Sequence, residues 1–333
     1  MIKGIRMAGW IFLAAAAGFG AVGSASAAET QTAKAYPAKV IRMIVPMSPG
    51  GFIDLTARLI AGHLSTGLGQ QVFVDNRAGA GGVLGSDLAA HAEPDGHTLI
   101  IGSVGQFAVN QTLYPKLNYN VLRDFQPVAR LAEAPSILAV HPSFPVRSVK
   151  DPIELARSKP KQINYASAGA GTSTHLAAAL FEYLAQVEFV HVAYKGGGPS
   201  LVAVVSGEVP MTFGTAAAVS PHIKSGKLRA LAVTGSQRSA QLPDLPTIAE
   251  SGLPGYGMDN WLGLFAPAGT PRVVVEKLSR EAIRVLRLPE VAAGLNARGA
   301  EPSPLGPDEF ALFQKKEVEK WAKVVTATGM TVQ

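Results

Sequence analysis

Three glycine-rich loops hold most of the groups in this sequence that could do chemistry. They span residues 48–54 (SPGGFID), 168–175 (AGAGTSTH) and 194–199 (YKGGGP). Each follows an apolar run and precedes a helical pattern, so we expect each to join a strand to a helix. Helix N-termini present unpaired N–H groups, and glycine lets an anion approach the backbone closely. These loops could bind a carboxylate or phosphate with little help from basic side chains.

Each loop also has a plainer interpretation. The glycines of the first loop could only make a tight turn while Asp54 caps the helix. His175 could donate to a ligand or be an ordinary packed histidine, and Lys195 could simply be solvated. The motifs alone leave both interpretations open.

The sequence excludes several classes of chemistry. It has no cysteine, which removes disulfides, thiolate zinc sites and cysteine nucleophiles. Neither a phosphate-binding G-x-x-x-x-G-K-[ST] loop nor G-x-S-x-G or H-E-x-x-H is present, and Leu84 breaks a potential G-x-G-x-x-G. The seven histidines do not pair at metal-ligand spacing. We therefore predict no catalytic residues, no metal and no cofactor.

The N-terminus has the pattern of a secretory signal peptide. Lys3 and Arg6 precede an apolar stretch over residues 7–22, and small residues follow up to Ala27. We expect cleavage after Ala27 and a soluble periplasmic protein. Losing the two basic residues lowers the formal charge from +6 to +4, and no basic run suggests nucleic-acid binding.

The remaining chain alternates between strand and helix patterns. Strands are predicted at residues 40–45, 72–74, 98–102, 136–140, 163–166, 189–192, 211–213 and 228–233. Helices are predicted at 54–64, 83–91, 151–158, 172–185, 200–206, 273–286 and 307–326. This alternation predicts an α/β protein with parallel sheets covered on both faces. The Pro- and Gly-rich residues 242–271 mark a crossing or linker.

Several short motifs, in order along nearly the whole mature chain, resemble the Bug family of periplasmic solute-binding proteins of tripartite tricarboxylate transporters. They are VP..PGG (45–51), DNR.GAGG (75–82), PDGHT (94–98), AG.GT..H (168–175), YKG (194–196), PHIKSGKLRALAVT (221–234), LPT (245–247) and APAGTP (266–271). Each motif is weak alone, but together they are specific.

The resemblance implies a two-lobed type II periplasmic binding protein (Venus flytrap) fold with two interlobe crossings. The crossings are expected near residues 137–143 and 261–267. After a signal peptide at 1–27, lobe 1 would then comprise residues 36–138 plus 262–333, and lobe 2 residues 139–261.

The resemblance also implies which residues bind a small carboxylate between the lobes. These are Ser48, Pro49, Gly50, Gly51, Phe52, Ile53, Ser103 and Gln106 from the first lobe, and Ala168, Gly169, Ala170, Gly171, Thr172, His175, Tyr194 and Thr215 from the second. Phe52 and Ile53 depart from the smaller residues common in relatives, which could favour an apolar ligand body. Loop 103–106 and Gly214-Thr215 also depart from the family pattern.

The implied function is a monomeric receptor, not an enzyme, that delivers its solute to membrane permease subunits. Two alternatives stay open. The protein could instead signal to a membrane kinase, or it could be an enzyme that uses Lys195 and His175 on a small organic anion.

Overall fold

The structure, a computed structural model, describes residues 36–331. The expected signal peptide and its cleavage after Ala27 lie outside the described residues. Eleven strands lie within the described part of the chain. They are β1 (Ile41–Val45), β2 (Val72–Asn76), β3 (Thr98–Ser103), β4 (Phe125–Glu133), β5 (Ser136–Val140), β6 (Asn164–Ser167), β7 (Val190–Ala193), β8 (Met211–Thr215), β9 (Arg229–Val233), β10 (Trp261–Pro267) and β11 (Glu301–Leu305).

The described helices cover both halves of the chain. They are α1 (Phe52–Leu68), α2 (Val83–Ala90), α3 (Asn110–Leu113), α4 (Lys150–Ser158), α5 (Ser173–Ala185), α6 (Gly197–Val205), α7 (Ala216–Lys224), α8 (Arg272–Leu286), α9 (Pro289–Asn296) and α10 (Pro307–Thr328). A 3-10 turn at Ala80–Gly82 precedes α2, and a π-helical turn at Gly105–Val109 precedes α3. Within residues 36–331, none of the helices is long and apolar enough to cross a membrane.

The strands form two sheets. The first has six strands in the order β11-β4-β10-β3-β1-β2, and the second has five in the order β7-β6-β8-β5-β9. Both sheets are mixed, which corrects the prediction of parallel sheets. β10 runs antiparallel to β3 and β4, and β5 runs antiparallel to β8 and β9. β11 also runs antiparallel to its neighbour β4.

Both expected crossing positions need correction. β5 begins at Ser136 and is paired over its whole length with β8, so the first change of sheet falls at residues 134–135 and not at 137–143. A lobe boundary at residue 138 would divide this strand. The segment 261–267 is β10, a fully buried strand between β3 and β4, so the second change of sheet lies within residues 234–260.

The core of the first sheet is aromatic. Phe107 stacks on Phe265 of β10 with ring centres 3.8 Å apart, and Phe310 of α10 meets Trp261 edge to face at 5.5 Å. Buried Glu317 of α10 accepts from the indole of Trp261 at 3.1 Å. β10 is therefore anchored through the face that carries Trp261 and Phe265, since aromatic pairs stabilise beyond the area that they bury.

Candidate functional site

The first set of predicted loops meets at one edge of the first sheet. β1 and β3 are parallel neighbours, so their carboxyl ends lie side by side. The loops that follow them touch, because Gln106 Nε2 lies 3.7 Å from the sulfur of Met47. The crevice beyond the carboxyl ends of strands is where open α/β sheets bind ligands.

The loop between β1 and α1 is braced by a buried carboxylate. Gly50 adopts a φ of +84°, a left-handed conformation that favours glycine, and Gly51 is the N-cap of α1. Asp54, at the third helical position, accepts from the Gly50 N–H at 2.8 Å and from Asn76 at 2.9 Å. The expectation that Asp54 caps the helix is therefore corrected: it clamps the loop from inside the first turn.

The charge of Asp54 is balanced locally. Burial raises the pKa of this carboxyl, but hydrogen bonds from Arg58, the Gly50 N–H and Asn76 outweigh burial and hold the pKa below its usual value. Arg58 lies 3.0 Å away in an ion pair. An anion at this loop therefore meets a paired carboxylate, whose repulsion is largely cancelled.

The first turn of α1 offers backbone donors. In residues 36–331, no acceptor takes the N–H groups of Phe52, Ile53 or Asp54, as expected for a helix start. Ser48, Pro49, Gly50 and Gly51 are exposed, Phe52 is half-buried and the Ile53 side chain is buried. Ile53 can thus contribute its N–H, whereas Phe52 can also present its ring.

The loop after β3 has its polar groups already engaged. Gln106 is buried, its carbonyl oxygen accepts from both the N–H and the hydroxyl of Ser103, and its amide donates to Gly81 O at 3.1 Å. Ser103 Oγ also accepts from the Gly105 N–H at 3.3 Å. This arrangement favours a supporting role for Ser103 and Gln106 over the direct ligand contact predicted for them.

The second set of loops gathers at one edge of the second sheet. β6 is parallel to both β7 and β8, so the segments after all three strands lie together. Hydrogen bonds from the Gly196 N–H to Ala168 O and from the Tyr194 N–H to Ser167 O join two of these loops.

The loop between β6 and α5 is held by its own hydroxyls. Thr172, the N-cap residue, donates its hydroxyl to Gly169 O at 2.7 Å, and Thr174 accepts from the Ala168 N–H at 2.9 Å. In the described chain, the N–H groups of Ser173, Thr174 and His175 have no acceptor. The loop thus repeats the arrangement of α1, and the Thr172 hydroxyl braces it.

His175 is neutral and oriented. Its Nδ1 accepts the Gly171 N–H at 3.0 Å. Burial, and then the nearby His191, lower the pKa of His175 to about 4. The two imidazole rings stack with centres 4.1 Å apart. Because Nδ1 is an acceptor, the ring proton of the neutral form sits on Nε2, where it is available as a donor.

The remaining predicted second-lobe residues differ in what they can offer. Tyr194 is half-buried and its hydroxyl donates to Glu208 at 3.0 Å, so the phenol is engaged. Thr215 is half-buried at the end of β8 and is the N-cap of α7. Lys195 is exposed, and no ion pair among residues 36–331 includes it.

The second loop set lies against α3, the short helix that comes after β3 in the chain. A Cβ on Gly171 of the second set would lie 3.4 Å from Leu113 Cδ2, in the segment that follows β3. Gly171 also has a φ of +73°. The helix N-termini at residues 52 and 173 follow strands of different sheets.

Three polar residues of this region were missed by the sequence analysis as site residues. Ser173 opens α5, and no hydrogen bond in the described chain engages its hydroxyl. Ser167 and His191 lie behind the loop, joined by a 2.5 Å hydrogen bond. Ser173 could have been found as the residue beside a cap, but the pairing of Ser167 with His191 depends on strand register. No group of three acidic or histidine residues within the described chain is placed to hold a metal ion.

Comparison with known proteins identifies the family. The family model described as "Tripartite tricarboxylate transporter family receptor" matches residues 56–330. BugT of Bordetella pertussis is 37% identical over 309 residues, covering 92% of this chain and 95% of BugT.

Two solved structures are similar over most of their length. A protein of R. palustris solved with adipate is 36% identical, has a TM-score of 0.74, and the match covers 89% of this chain and 99% of that one. MatC of Rhodopseudomonas palustris, solved with bound malate, is 35% identical with a TM-score of 0.70, covering 87% and 100%.

The fold is that of the two-lobed type II periplasmic binding proteins. The chain belongs to the tripartite tricarboxylate transporter receptors, the Bug family of periplasmic solute-binding proteins. The family resemblance found in the sequence is thereby confirmed, and members of this family are receptors.

Proposed function

We propose that this protein captures a small carboxylate-bearing solute between its two lobes and delivers it to the membrane subunits of a tripartite transporter. The observation that carries this proposal is the pair of helix starts, α1 and α5, whose free N–H groups belong to opposite sheets. Ligand contacts on both sides would stabilise the closed lobes through differential affinity.

The site suits an anion that is held by dipoles. Backbone N–H groups and the positive ends of α1 and α5 supply attraction, and His175 adds a neutral donor. The paired charge of Asp54 adds little repulsion. Among the described residues of this region, the one serine hydroxyl that bonds to a histidine, Ser167 Oγ with His191 Nε2, is fully buried behind the loop, which favours binding without turnover.

The ligand that we infer is a dicarboxylate with an apolar body. Two similar proteins were solved with adipate and malate, and the half-buried Phe52 ring in the first loop supplies an apolar surface. We assign the backbone of residues 48–53 and of 168–172, with Ser173 and His175, to ligand contact. We assign a supporting role, in which the side chain holds the loops in place without touching the ligand, to Ser103, Gln106, Thr172 and Tyr194. Thr215 lies at the margin of the proposed binding site.

The lobes follow the two sheets. We propose that lobe 1 comprises residues 36–133 and 261–331, that lobe 2 comprises 136–233, and that hinge motion falls in 134–135 and 234–260. In this proposal the receptor is a periplasmic monomer, and each closed complex docks on the permease.

A thermal-shift screen tests the proposal. Adipate, malate, succinate and benzoate are compared with dimethyl adipate, which keeps the chain of adipate but lacks its charges. A carboxylate at one hundred times its Kd should stabilise the native protein by about 2.7 kcal/mol, while the diester should have no effect. Equal shifts with adipate and its diester, or no shift with any carboxylate, would contradict the proposal.

A further inference from the structure

Behind the second loop lies a stack of three rings. His191 on β7 stacks against Tyr165 of β6 with centres 5.0 Å apart and planes 12° apart. On α5, His175 stacks against His191 at 4.1 Å and 15°. Burial lowers the pKa of His191, as it does that of His175. The stack thus holds two neutral imidazoles in fixed planes.

Hydrogen bonds through Ser167 connect His191 to the middle of the second ligand loop, residues 168–175. Its Nε2 lies 2.5 Å from Ser167 Oγ, and Ser167 is fully buried. The same hydroxyl oxygen accepts from the Gly169 N–H at 3.0 Å and lies 3.3 Å from Gly169 O. The position of Gly169 is therefore tied to His191 by way of Ser167.

Stacking on the imidazole of His175 connects His191 to Gly171, further along the same loop. Stacking fixes the plane of His175, and His175 Nδ1 accepts the Gly171 N–H at 3.0 Å. With Nδ1 occupied, the neutral ring carries its proton on Nε2. Within residues 36–331, His175 Nε2 has no hydrogen-bond partner and is not among the buried unpaired atoms.

We propose that His191 is the positioning residue of the second ligand loop, fixing Gly169 through Ser167 and fixing His175 as an Nε2–H donor to the solute. This inference rests on the proposed function and deepens it. His191 acts through its neighbours, and His175 is the residue that meets an oxygen acceptor of the ligand.

Two substitutions separate the two contacts of His191. His191→Phe keeps a flat ring in the stack but loses the bond to Ser167, whereas His191→Gln keeps an amide that can reach Ser167 but loses the ring. His141→Phe is the matched control. His141 also pairs with a serine, Ser143, at 2.7 Å, but it follows β5 at the opposite edge of the sheet from Thr215.

The first readout is the ring of His175 in ¹⁵N and ¹³C NMR spectra of the ligand-free protein at pH 7. We expect the Nε2–H tautomer alone in the unsubstituted protein and in His141→Phe. In His191→Gln we expect a mixture of tautomers and a shifted Gly171 amide signal. A purely structural role for His191 would leave the tautomer of His175 unchanged.

The second readout is adipate affinity by calorimetry. Loss of either contact should weaken adipate binding about tenfold, the effect of about one hydrogen bond, and His141→Phe should bind adipate like the unsubstituted protein. Ser167→Ala should weaken adipate binding at least as much as His191→Phe, because it also removes the bond from the Gly169 N–H. Adding His191→Phe to Ser167→Ala should change little, because the bond between the two side chains is already lost. Ser167→Ala also serves if a His191 variant does not fold.

The outcomes distinguish this inference from the proposed function. Unchanged tautomer and unchanged adipate affinity in both His191 variants would overturn the inference and leave the receptor function standing. If the unsubstituted protein binds no carboxylate of the screen, the proposed function fails. The NMR result on the ligand-free protein then decides the role of His191 by itself.

Discussion

A single methyl group at Gly299 should push the two sheets apart. Gly299, between α9 and β11, has a φ of +72°, and a Cβ placed on it would lie 2.3 Å from the Cβ of Ala217 in α7. Methyl carbons normally approach to about 3.5–4.0 Å, so Gly299→Ala requires a movement of more than about 1 Å. This contact joins the first sheet to the second.

The loss of stability in Gly299→Ala should have two parts, backbone strain and overpacking, and a matched control separates them. An alanine in the left-handed region costs about 1–2 kcal/mol, and overpacking adds about 1–3 kcal/mol. Gly226 has nearly the same φ, +71°, but no atom lies within 4 Å of its Cβ position. We therefore expect losses in the free energy of unfolding of about 1–2 kcal/mol for Gly226→Ala and about 2–5 kcal/mol for Gly299→Ala.

Urea unfolding of the purified protein measures both losses. Ala217→Gly should restore part of the stability of Gly299→Ala, after correction for its own helix cost of about 1 kcal/mol. Equal losses for the two glycine variants, or no rescue by Ala217→Gly, would refute the reasoning that Gly299 and Ala217 are in close contact.

Three further outcomes follow from the site and its surroundings. Ser173→Ala should weaken adipate binding by about 0.5–1.5 kcal/mol in calorimetry, while Ser158→Ala, whose hydroxyl bonds only to its own helix, should not. Burial raises the pKa of Glu182 to about 7, so stability should fall by about 1–3 kcal/mol as pH rises from 4.5 to 7, and Glu182→Gln should remove this slope in thermal unfolding. The pKa of Asp54 is lowered in the folded protein, so this carboxylate stabilises the fold at pH values above the usual pKa of an aspartate. That stabilisation is lost as the pH falls through the lowered pKa. Asp54→Asn should therefore make the free energy of unfolding less dependent on pH in acid, as measured by thermal unfolding.

The strands and loops around the candidate site could be predicted from sequence because their signals are local. β1, β3 and β8 are largely apolar runs bounded by Gly or Pro, and β6 is a mixed run that ends shortly before Gly169. Each lies close to its predicted position. The helix starts after them follow from the same pattern. The carboxyl ends of neighbouring parallel strands meet at one edge of a sheet, so the clustering of these loops could be predicted from the sequence alone.

The strands that complete the first sheet were missed for a physical reason. β4 includes Pro127 and several polar residues, β11 includes Pro302 and Pro304, and β10 lies in a segment rich in Pro and Gly. Such strands form because tertiary pairing overrides weak local preference. Helix α7 was missed for a similar reason, since Pro221 lies within it.

The roles of individual side chains were the least predictable part. Thr172 and Gln106 have the chemistry of ligand donors, but the structure engages them with Gly169 O and with Ser103. Whether a hydroxyl faces the ligand or the loop depends on a rotamer that spacing does not encode. The stack of His175 on His191 likewise depends on the placement of β7 beside β6.

The place of β10 has a consequence for how the chain acquires its structure. β10 lies between β3 and β4, although almost 130 residues separate it from β4 along the chain. The second sheet is contiguous, from Ser136 to Val233, and its pairings can form as soon as that stretch is available. The first sheet cannot join β3 to β4 until residue 267 has arrived. Such long-range pairing forms slowly. We therefore expect the second sheet, in the middle of the sequence, to fold before the first sheet. The first sheet should then be the last part of the receptor to become protected from amide hydrogen exchange and from proteolysis.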